Sequence, residues 1–463
     1  MLSDSDNGAA GVQRGVRNKI GLALAAGAPE GAIYEIGALR AIDEALDGLD
    51  LNHLFLYVGV SAGAFLCANL ANDLTTAQMC RAIVSQDPGE HPFTPETFFT
   101  PALGELGRSV LKVPGLLGRS LWSYATHFRE RTLLGSLTRV SRALPVGLFD
   151  NEPIRAYLHK IYSLKNRTDD FRRLGKRLVV VATDLDSAQP VRFGEPGLDH
   201  VPISVAVQAS GALPGLYSPV EIEGRHYVDG VLLKTLHASV ALEAGAELLI
   251  CINPIVPVDT VRAVEKGLMR SDKLLPRGLP TVLSQTFRTL VRSRLEVGMA
   301  AYEKKYKDRD VVLLEPKRDD YKMFFTNIFG LSERRAVCEH AYQMTRQTLL
   351  ARYDELAPIF ARHGITLRRD VLEEPRHLWE QVGLARRKAD AKPGGRRKID
   401  LEVSGHTTVR DLDAALSRLE KMVADQMVAD KMVADQMVAD LEPEEETALI
   451  PLMEPEPLSP LAN

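Results

Sequence analysis

The feature that most constrains the fold is an apolar run that ends in a Gly-x-Ser-x-Gly motif, formed by Gly59, Ser61 and Gly63. Residues 55–58 favour a β-strand, and the small residues over 62–71 favour a helix. A serine on a sharp turn between strand and helix stands above the sheet, where backbone N–H groups and the helix N-terminus favour a developing oxyanion. The context predicts a nucleophile elbow; the alternative is a tight turn with a solvated serine.

Residues 51–72 carry no formal charge and are long enough to resemble a membrane span. The run nevertheless contains Asn52, His53 and Asn69, and it changes midway from aromatic and β-branched residues to alanine-rich ones. A buried strand followed by a buried helix fits this pattern better, so we predict no transmembrane segment. Residues 1–18 contain no apolar signal segment, and we expect a cytoplasmic location, with peripheral contact to a membrane left open.

Composition restricts the function classes. The chain has 463 residues, 45% of them hydrophobic and 25% charged, with a net charge of −4, which argues against general nucleic-acid binding. Its cysteines are far apart and form neither a C-x-x-C motif nor a cluster with histidine, so the sequence indicates no zinc site and no disulfide framework. The glycine-containing loop over 26–31 lacks the Gly-Lys-Ser/Thr of a phosphate-binding loop. We expect no metal and no organic cofactor.

Strand and helix patterns alternate along the first part of the chain. Strand 20–25, helix 32–46 and strand 55–58 form a βαβ unit, which predicts a parallel sheet and an α/β fold. Two helical insertions are predicted, at 74–176 and 259–307. In the first, the apolar and basic section 93–128 is either a core-packing subdomain or an interfacial lid. Further buried strands are predicted at 178–184, 248–252 and 311–314, a hairpin at 220–228, and helices at 201–210, 238–245 and 332–353.

The predicted organisation has a disordered leader, one large domain and a non-globular extension. Within the extension a ten-residue unit over 421–430 recurs almost unchanged at 431–440, and each copy contains Met-Val-Ala-Asp twice. Its apolar residues spread round a helix rather than forming a seam, although this C-terminal helix is a candidate contact for a protein partner. The predicted segments are the leader 1–17, the domain 18–355 with a motif-bearing core at 18–255, a helical segment and basic linker at 356–400, the repeat helix at 401–441, and an acidic proline-rich tail at 442–463.

A serine nucleophile needs a base. His226 and His237 lie near Asp229 in the sequence, so a Ser-Asp-His triad that includes Asp184 is one alternative. Nothing in the residues around either histidine favours it, because a lone histidine beside a hairpin is more often structural or solvated.

Five stretches together resemble the patatin-like phospholipase family. Their order and approximate spacing are similar to those of the family over residues 18–255, and more loosely to 355. The stretches are the loop and helix at 27–46, the motif at 59–63, Ala182-Thr183-Asp184-Leu185, Ala209-Ser210-x-x-Leu213-Pro214, and Tyr227-Val228-Asp229-Gly230.

The resemblance implies a three-layer α/β/α sandwich with a mostly parallel central sheet. It also implies hydrolysis of a lipid or other acyl ester through an acyl-enzyme, by a serine–aspartate dyad without histidine. Carried over residue by residue, Ser61 is the nucleophile and Asp229 the general base, and an aspartate can serve as base when burial raises its pKa. The oxyanion positions are Gly27, Ala28 and Ala62, and the motif glycines are Gly31, Gly59, Gly63 and Gly230.

The oxyanion loop departs from the family pattern. Where the family usually has Gly-Gly-Gly-x-Arg-Gly, this chain has Ala26-Gly27-Ala28-Pro29-Glu30-Gly31. Pro29 lacks an N–H and biases Ala28 towards an extended backbone, while Ala28 resists a positive φ. Glu30 places a carboxylate near a site that must hold an oxyanion. The departures leave open a second class of function, a protein that binds lipid or a partner without turnover.

Overall fold

A computed structural model describes residues 19–84, 91–93, 100–102, 146–270, 273–320 and 331–384, all of which belong to one compact unit. Three predicted regions lie outside these residues. They are the leader, most of the apolar section 93–128, and everything after 384, including the basic linker and the repeat helix.

The centre of the unit is an eight-stranded sheet in the order β12-β11-β1-β3-β6-β10-β9, with β7 also paired to β6. The run from β12 to β6 is parallel, whereas β7, β9 and β10 join in antiparallel fashion. The predicted α/β class with a mostly parallel sheet is confirmed. The strands of this sheet are β1 (Ile20–Leu24), β3 (Leu56–Val60), β6 (Leu178–Asp184), β7 (Gln189–Phe193), β9 (Val220–Ile222), β10 (Arg225–Asp229), β11 (Leu248–Ile252) and β12 (Asp310–Leu314).

Helices cover both faces of the sheet. Side chains alternate along each strand, so that Leu22 and Tyr57 point to one hydrophobic core and Ala23 and Val58 to the other. The first core is closed mainly by α1, α2, α5 and α9, and the second by α6 and α8. The helices are α1 (Ala28–Ala45), α2 (Ala62–Ala71), α3 (Thr76–Val84), α4 (Glu152–Tyr162), α5 (Ile203–Ser210), α6 (Ala238–Glu243), α7 (Thr260–Glu265), α8 (Leu279–Lys305), α9 (Leu331–Ala351), α10 (Tyr353–Arg362), α11 (Arg369–Glu373) and α12 (Leu378–Gln381).

Several short elements were not predicted because they have too few residues for a periodic pattern. A two-stranded sheet pairs β2 with β13, and a three-stranded sheet joins β4, β5 and β8. The loops between the larger elements therefore carry more regular structure than the sequence indicated. These strands are β2 (Leu46–Asp47), β4 (Thr100–Pro101), β5 (Gly147–Asp150), β8 (Gly215–Tyr217) and β13 (Thr366–Leu367).

The compact unit extends beyond residue 355, where the sequence placed the end of the domain. Phe360, Leu372, Leu378 and Trp379 are buried in the first core, because α10 to α12 pack back onto it. The folded unit therefore includes α10 to α12 and, after them, the buried Val382.

Candidate active site

Ser61 lies on a strained turn between β3 and α2. Its backbone has φ 53° and ψ −117°, a region that non-glycine residues rarely occupy and that is typical of functional turns. The flanking glycines permit the close crossing: a Cβ on Gly59 would lie 2.4 Å from Cα of Ala64, and one on Gly63 would lie 2.3 Å from the carbonyl oxygen of Leu24. The arrangement is a strand–turn–helix elbow, with the start of α2 where the sequence predicted it.

A second serine holds the elbow from a different part of the chain. The backbone N–H of Ser61 donates to Oγ of Ser210, at 2.8 Å, and that hydroxyl donates to the carbonyl oxygen of Val181 at 2.6 Å. Ser210 is fully buried at the end of α5. The sequence included it in the Ala209-Ser210 motif but assigned it no role, because its partners are residues distant in sequence.

Asp229 ends β10 and lies beside Ser61. The residue is 2% exposed, and its carboxyl accepts a hydrogen bond from the backbone N–H of Val231 at 2.9 Å. Burial raises its pKa from 3.8 to about 7, while the Val231 N–H and the neighbouring Ser61 hydroxyl act in the opposite direction. The next residue has to be glycine, since a Cβ on Gly230 would lie 2.5 Å from the carbonyl oxygen of Val181.

The predicted oxyanion loop is shorter than expected, because α1 begins at Ala28 and not near residue 32. Pro29 falls in the first turn of the helix, where its missing N–H costs nothing. Ala28 has φ 52°, so the extended backbone expected before a proline is wrong and the residue adopts the strained left-handed region instead. Among the described residues, the N–H groups of Gly27 and Ala28 have no hydrogen-bond acceptor.

Two contacts fix the chain that leads into this loop. The N–H of Ala25 donates to Oε1 of Glu35 at 3.0 Å, and that of Ala26 donates to the carbonyl oxygen of Thr235 at 3.2 Å. Glu35 is fully buried, and this burial raises the pKa of its carboxyl well above the usual range. The loop is therefore held partly by a buried acid that no sequence motif indicated.

Glu30 is coupled to an arginine that no sequence motif indicated. Burial raises the pKa of Glu30, while its own backbone N–H and Arg288 of α8 act in the opposite direction. The pKa of Arg288 is lowered by burial and raised by Glu30. The carboxyl that the sequence placed near the oxyanion thus has a neighbouring cation, and we conclude that its electrostatic effect on the site is smaller than an isolated charge would have.

A cavity of about 740 Å³ brings the predicted catalytic and oxyanion residues together. Its wall is largely apolar, which suits a lipid acyl chain. The charged residues of the described lining are Glu30, Asp229 and Arg288. The remaining predicted positions in the lining are Gly27, Ala28, Ser61 and Ala62, and residues that the sequence analysis missed include Leu148, Asn151, Gln208, Leu279, Leu283, Ser284 and Phe287.

The histidines and Asp184 occupy other environments. His237 is buried with Nε2 3.4 Å from the carbonyl oxygen of Gly230, and burial lowers its pKa to about 4. His226 is exposed near Asp186, and Asp184 pairs with Arg225 at 2.8 Å. Among the hydrogen bonds of the described residues, none joins either histidine to Ser61. The three residues of the alternative triad are therefore not assembled around the serine.

The part of the chain that the structure describes contains no group of three or more acidic, histidine or cysteine side chains arranged for a metal ion. It also contains no helix that combines the length and the apolar character needed to cross a membrane. The four cysteines are free and buried.

Comparison with known proteins identifies the family of this region. Residues 22–242 match the model of the family described as patatin-like phospholipase.

Three solved structures are similar to the chain at low identity. VipD from Legionella pneumophila is 16% identical, with 72% of this chain and 67% of VipD covered and a TM-score of 0.35. The type III effector protein ExoU is 16% identical, with 71% and 52% covered and a TM-score of 0.30. Full-length ExoU with full-length SpcU, from the type III secretion system of Pseudomonas aeruginosa, is 14% identical, with 75% and 58% covered and a TM-score of 0.25. The chain thus spans little more than half of the ExoU chains, and we draw no functional conclusion from these low scores.

Proposed function

The chain carries a patatin-like phospholipase domain over residues 22–242, and from this premise we propose that it is a serine hydrolase of lipid carboxylic esters. The observation that carries the proposal is that the strained Ser61 and the buried Asp229 both line one large, mostly apolar cavity. The two residues would act as a nucleophile–base dyad.

In the first half of the reaction, Oγ of Ser61 attacks the ester carbonyl carbon while its proton moves to the ionised Asp229 carboxylate. The tetrahedral intermediate then collapses, the C–O bond to the alcohol breaks, and the alcohol leaves with the proton from Asp229. A water molecule, deprotonated by Asp229, attacks the acyl-enzyme, the C–O bond to Oγ of Ser61 breaks, and Oγ takes the proton from Asp229 as the fatty acid leaves. A base with a pKa of about 7 is well matched to this work near neutral pH.

The oxyanion would be held by backbone N–H groups of Gly27, Ala28 and Ala62. Support comes from their shared position in the cavity lining and from the lack of acceptors for Gly27 and Ala28 within the described structure. Ala62 and Ala28 also begin α2 and α1, so two helix N-termini favour negative charge at this point.

The test combines turnover with covalent labelling. Wild type should hydrolyse a p-nitrophenyl ester and react with a fluorophosphonate at Ser61, whereas Ser61→Ala and Asp229→Asn should each lose at least about a thousandfold in kcat. The exposed Ser163 provides a control, and Ser163→Ala should behave as wild type. Lipid binding without labelling or turnover would favour the non-catalytic alternative instead.

The same assay separates the dyad from the triad. His226→Ala and His237→Ala should keep most of the activity, because neither ring contacts Ser61 in the described structure. A large loss of kcat in either variant, with a native circular dichroism spectrum, would contradict the dyad.

We further propose that the cavity opens towards a lipid surface, so that the protein acts as a peripheral membrane enzyme. Leu275, Leu279 and Leu283, spaced four residues apart, are 79%, 68% and 57% exposed, and the latter two line the cavity. Leu148, also in the lining, is 57% exposed. Exposed apolar side chains at the cavity wall are typical of contact with acyl chains.

Vesicle sedimentation tests this orientation. Leu279→Ser and Leu283→Ser together should weaken binding to vesicles and leave hydrolysis of a water-soluble ester unchanged. Leu290→Ser is the matched control, since Leu290 is 60% exposed on the same helix but does not line the cavity. If the Leu279/Leu283 double variant and Leu290→Ser weaken vesicle binding equally, the leucines at the cavity have no special role in membrane contact.

A further inference from the structure

The cavity lining contributed by α8 carries the one cation among the described lining residues, Arg288. Of the two acidic residues there, Asp229 lies beside Ser61, and Glu30 is the one that interacts electrostatically with Arg288. The cation and its counter-ion therefore line the same space that an ester substrate would fill.

Arg288 is positioned by its own helix and by the preceding loop. Its Nη1 donates to the carbonyl oxygen of Val256 at 3.4 Å, and its Nε lies 3.5 Å from Oγ of Ser284, one turn earlier on α8. Ser284 also lines the cavity. A guanidinium has five N–H donors in a planar fork, so it can bind two oxygens of an anion while it keeps contacts to the protein.

We infer that Arg288 and Ser284, which line the cavity together, form an anion subsite that binds a phosphate group of the substrate. The inference rests on the proposed hydrolase function. A cation in a largely apolar wall is unfavourable without a counter-charge, and Glu30 supplies it until a phosphate arrives.

Paired substrates test the subsite. Phosphatidylglycerol and diacylglycerol with the same acyl chains, in the same nonionic micelles, differ in the phosphate-bearing headgroup. Arg288→Met should lower kcat/KM for the phospholipid about tenfold to 100-fold, as expected for loss of a charge-assisted hydrogen bond, and change the neutral ester less than about threefold. Glu30→Gln should lower KM for the phospholipid, with little change in kcat.

The matched control is Arg292→Met. Arg292 lies one turn further along α8, pairs with Glu296 and Glu315, and is not part of the cavity lining. Arg292→Met should leave the ratio of kcat/KM between the two substrates unchanged. If Arg288→Met lowers kcat/KM for both substrates by the same factor, or if Arg292→Met has the same selective effect, the subsite is excluded. Arg288→Lys keeps the positive charge, and its circular dichroism spectrum shows whether the fold is intact, so it separates loss of charge from loss of folding.

A binding measurement makes the test independent of turnover. Calorimetry with dodecyl phosphate, dodecanol and inorganic phosphate should show tightest binding of dodecyl phosphate to wild type, with the advantage over dodecanol lost in Arg288→Met. Inorganic phosphate binding as tightly would indicate a site for the free ion rather than for a lipid headgroup and would overturn the assignment. Absent turnover with intact, Arg288-dependent binding would contradict the hydrolase proposal and leave the subsite standing.

Discussion

Two helices begin at the same cavity, and their first turns are built differently. Ser61, before α2, and Ala28, at the start of α1, both adopt positive φ, at 53° and 52°. The Ser61 turn is fixed by parallel pairing of β3 on both sides, and by the buried Ser210 hydroxyl. The turn at Ala28 follows β1, which is likewise paired on both sides, and the Glu35 carboxyl and the Thr235 carbonyl oxygen hold it in addition.

This difference gives the two turns different roles: the elbow fixes the nucleophile, and the loop adjusts how the reaction proceeds. The nucleophile is placed by backbone pairing, by the Ser210 hydroxyl, and by glycines whose Cβ would lie 2.3–2.4 Å from backbone atoms, so this half of the site tolerates little change. At the oxyanion loop a Cβ on Gly27 or Gly31 would lie 2.7–2.9 Å from its nearest neighbours, and Arg288 also acts on this loop through Glu30. Substitutions at the loop should therefore modify the reaction, whereas those at the elbow should abolish it.

The largest expected loss of stability and activity together comes from Gly63→Ala. A Cβ there would lie 2.3 Å from a backbone oxygen of β1, so strand and helix would have to separate. We expect a loss of about 3 kcal/mol in the free energy of unfolding and no measurable esterase activity. The control is Gly175→Ala, because nothing lies within 4 Å of the position of its Cβ. A Gly63→Ala protein with normal activity and urea midpoint would show that the elbow is less constrained than the loop.

The next effect concerns Asp229 and pH. Because the folded-state pKa is raised from 3.8 to about 7, the neutral carboxyl favours folding; this contribution is complete below pH 4 and is lost as pH rises to about 7. At pH 8, Asp229→Asn should therefore be more stable than wild type by up to about 4 kcal/mol. Whereas the stability of wild type falls as pH rises, its kcat/KM should increase through pH 7, because the base ionises.

Urea unfolding at pH 5 and pH 8 and a pH–rate profile check both signs together. The stability advantage of Asp229→Asn should be larger at pH 8 than at pH 5. Equal advantages at the two pH values, or a rate that rises only near pH 4, would mean that Asp229 titrates as an ordinary exposed aspartate.

Sequence patterns were informative where a structure depends on consecutive residues. The buried strands, the elbow and the hairpin before Asp229 each have a local signature, and α2, β6 and β11 have the predicted bounds. The hydrogen bond of Ser210 to Ser61 and the electrostatic interaction of Arg288 with Glu30 join residues far apart in the chain. Such contacts depend on how strands and helices pack together, which no local pattern specifies.

The start of α1 shows the same limit at shorter range. Pro29 is compatible both with a loop and with the first turn of a helix, and only the tertiary structure decides between them. The left-handed backbone of Ala28 likewise contradicts the local preference of the residue, which is expected at a functional site whose surroundings enforce the conformation.

The smallest expected effect tests that strain. Ala28→Gly removes the Cβ that disfavours φ 52°, and we expect a gain of about 1 kcal/mol in the free energy of unfolding. The matched control is Ala188→Gly, since Ala188 has φ 54° in an exposed turn away from the cavity lining and should give a similar gain. Only Ala28→Gly should change catalysis, raising kcat about twofold to threefold, because the N–H group of residue 28 would reach its position without strain. If Ala188→Gly stabilises the protein but Ala28→Gly destabilises it, packing rather than backbone strain determines this turn, and the two helix starts would be more alike than their contacts indicate.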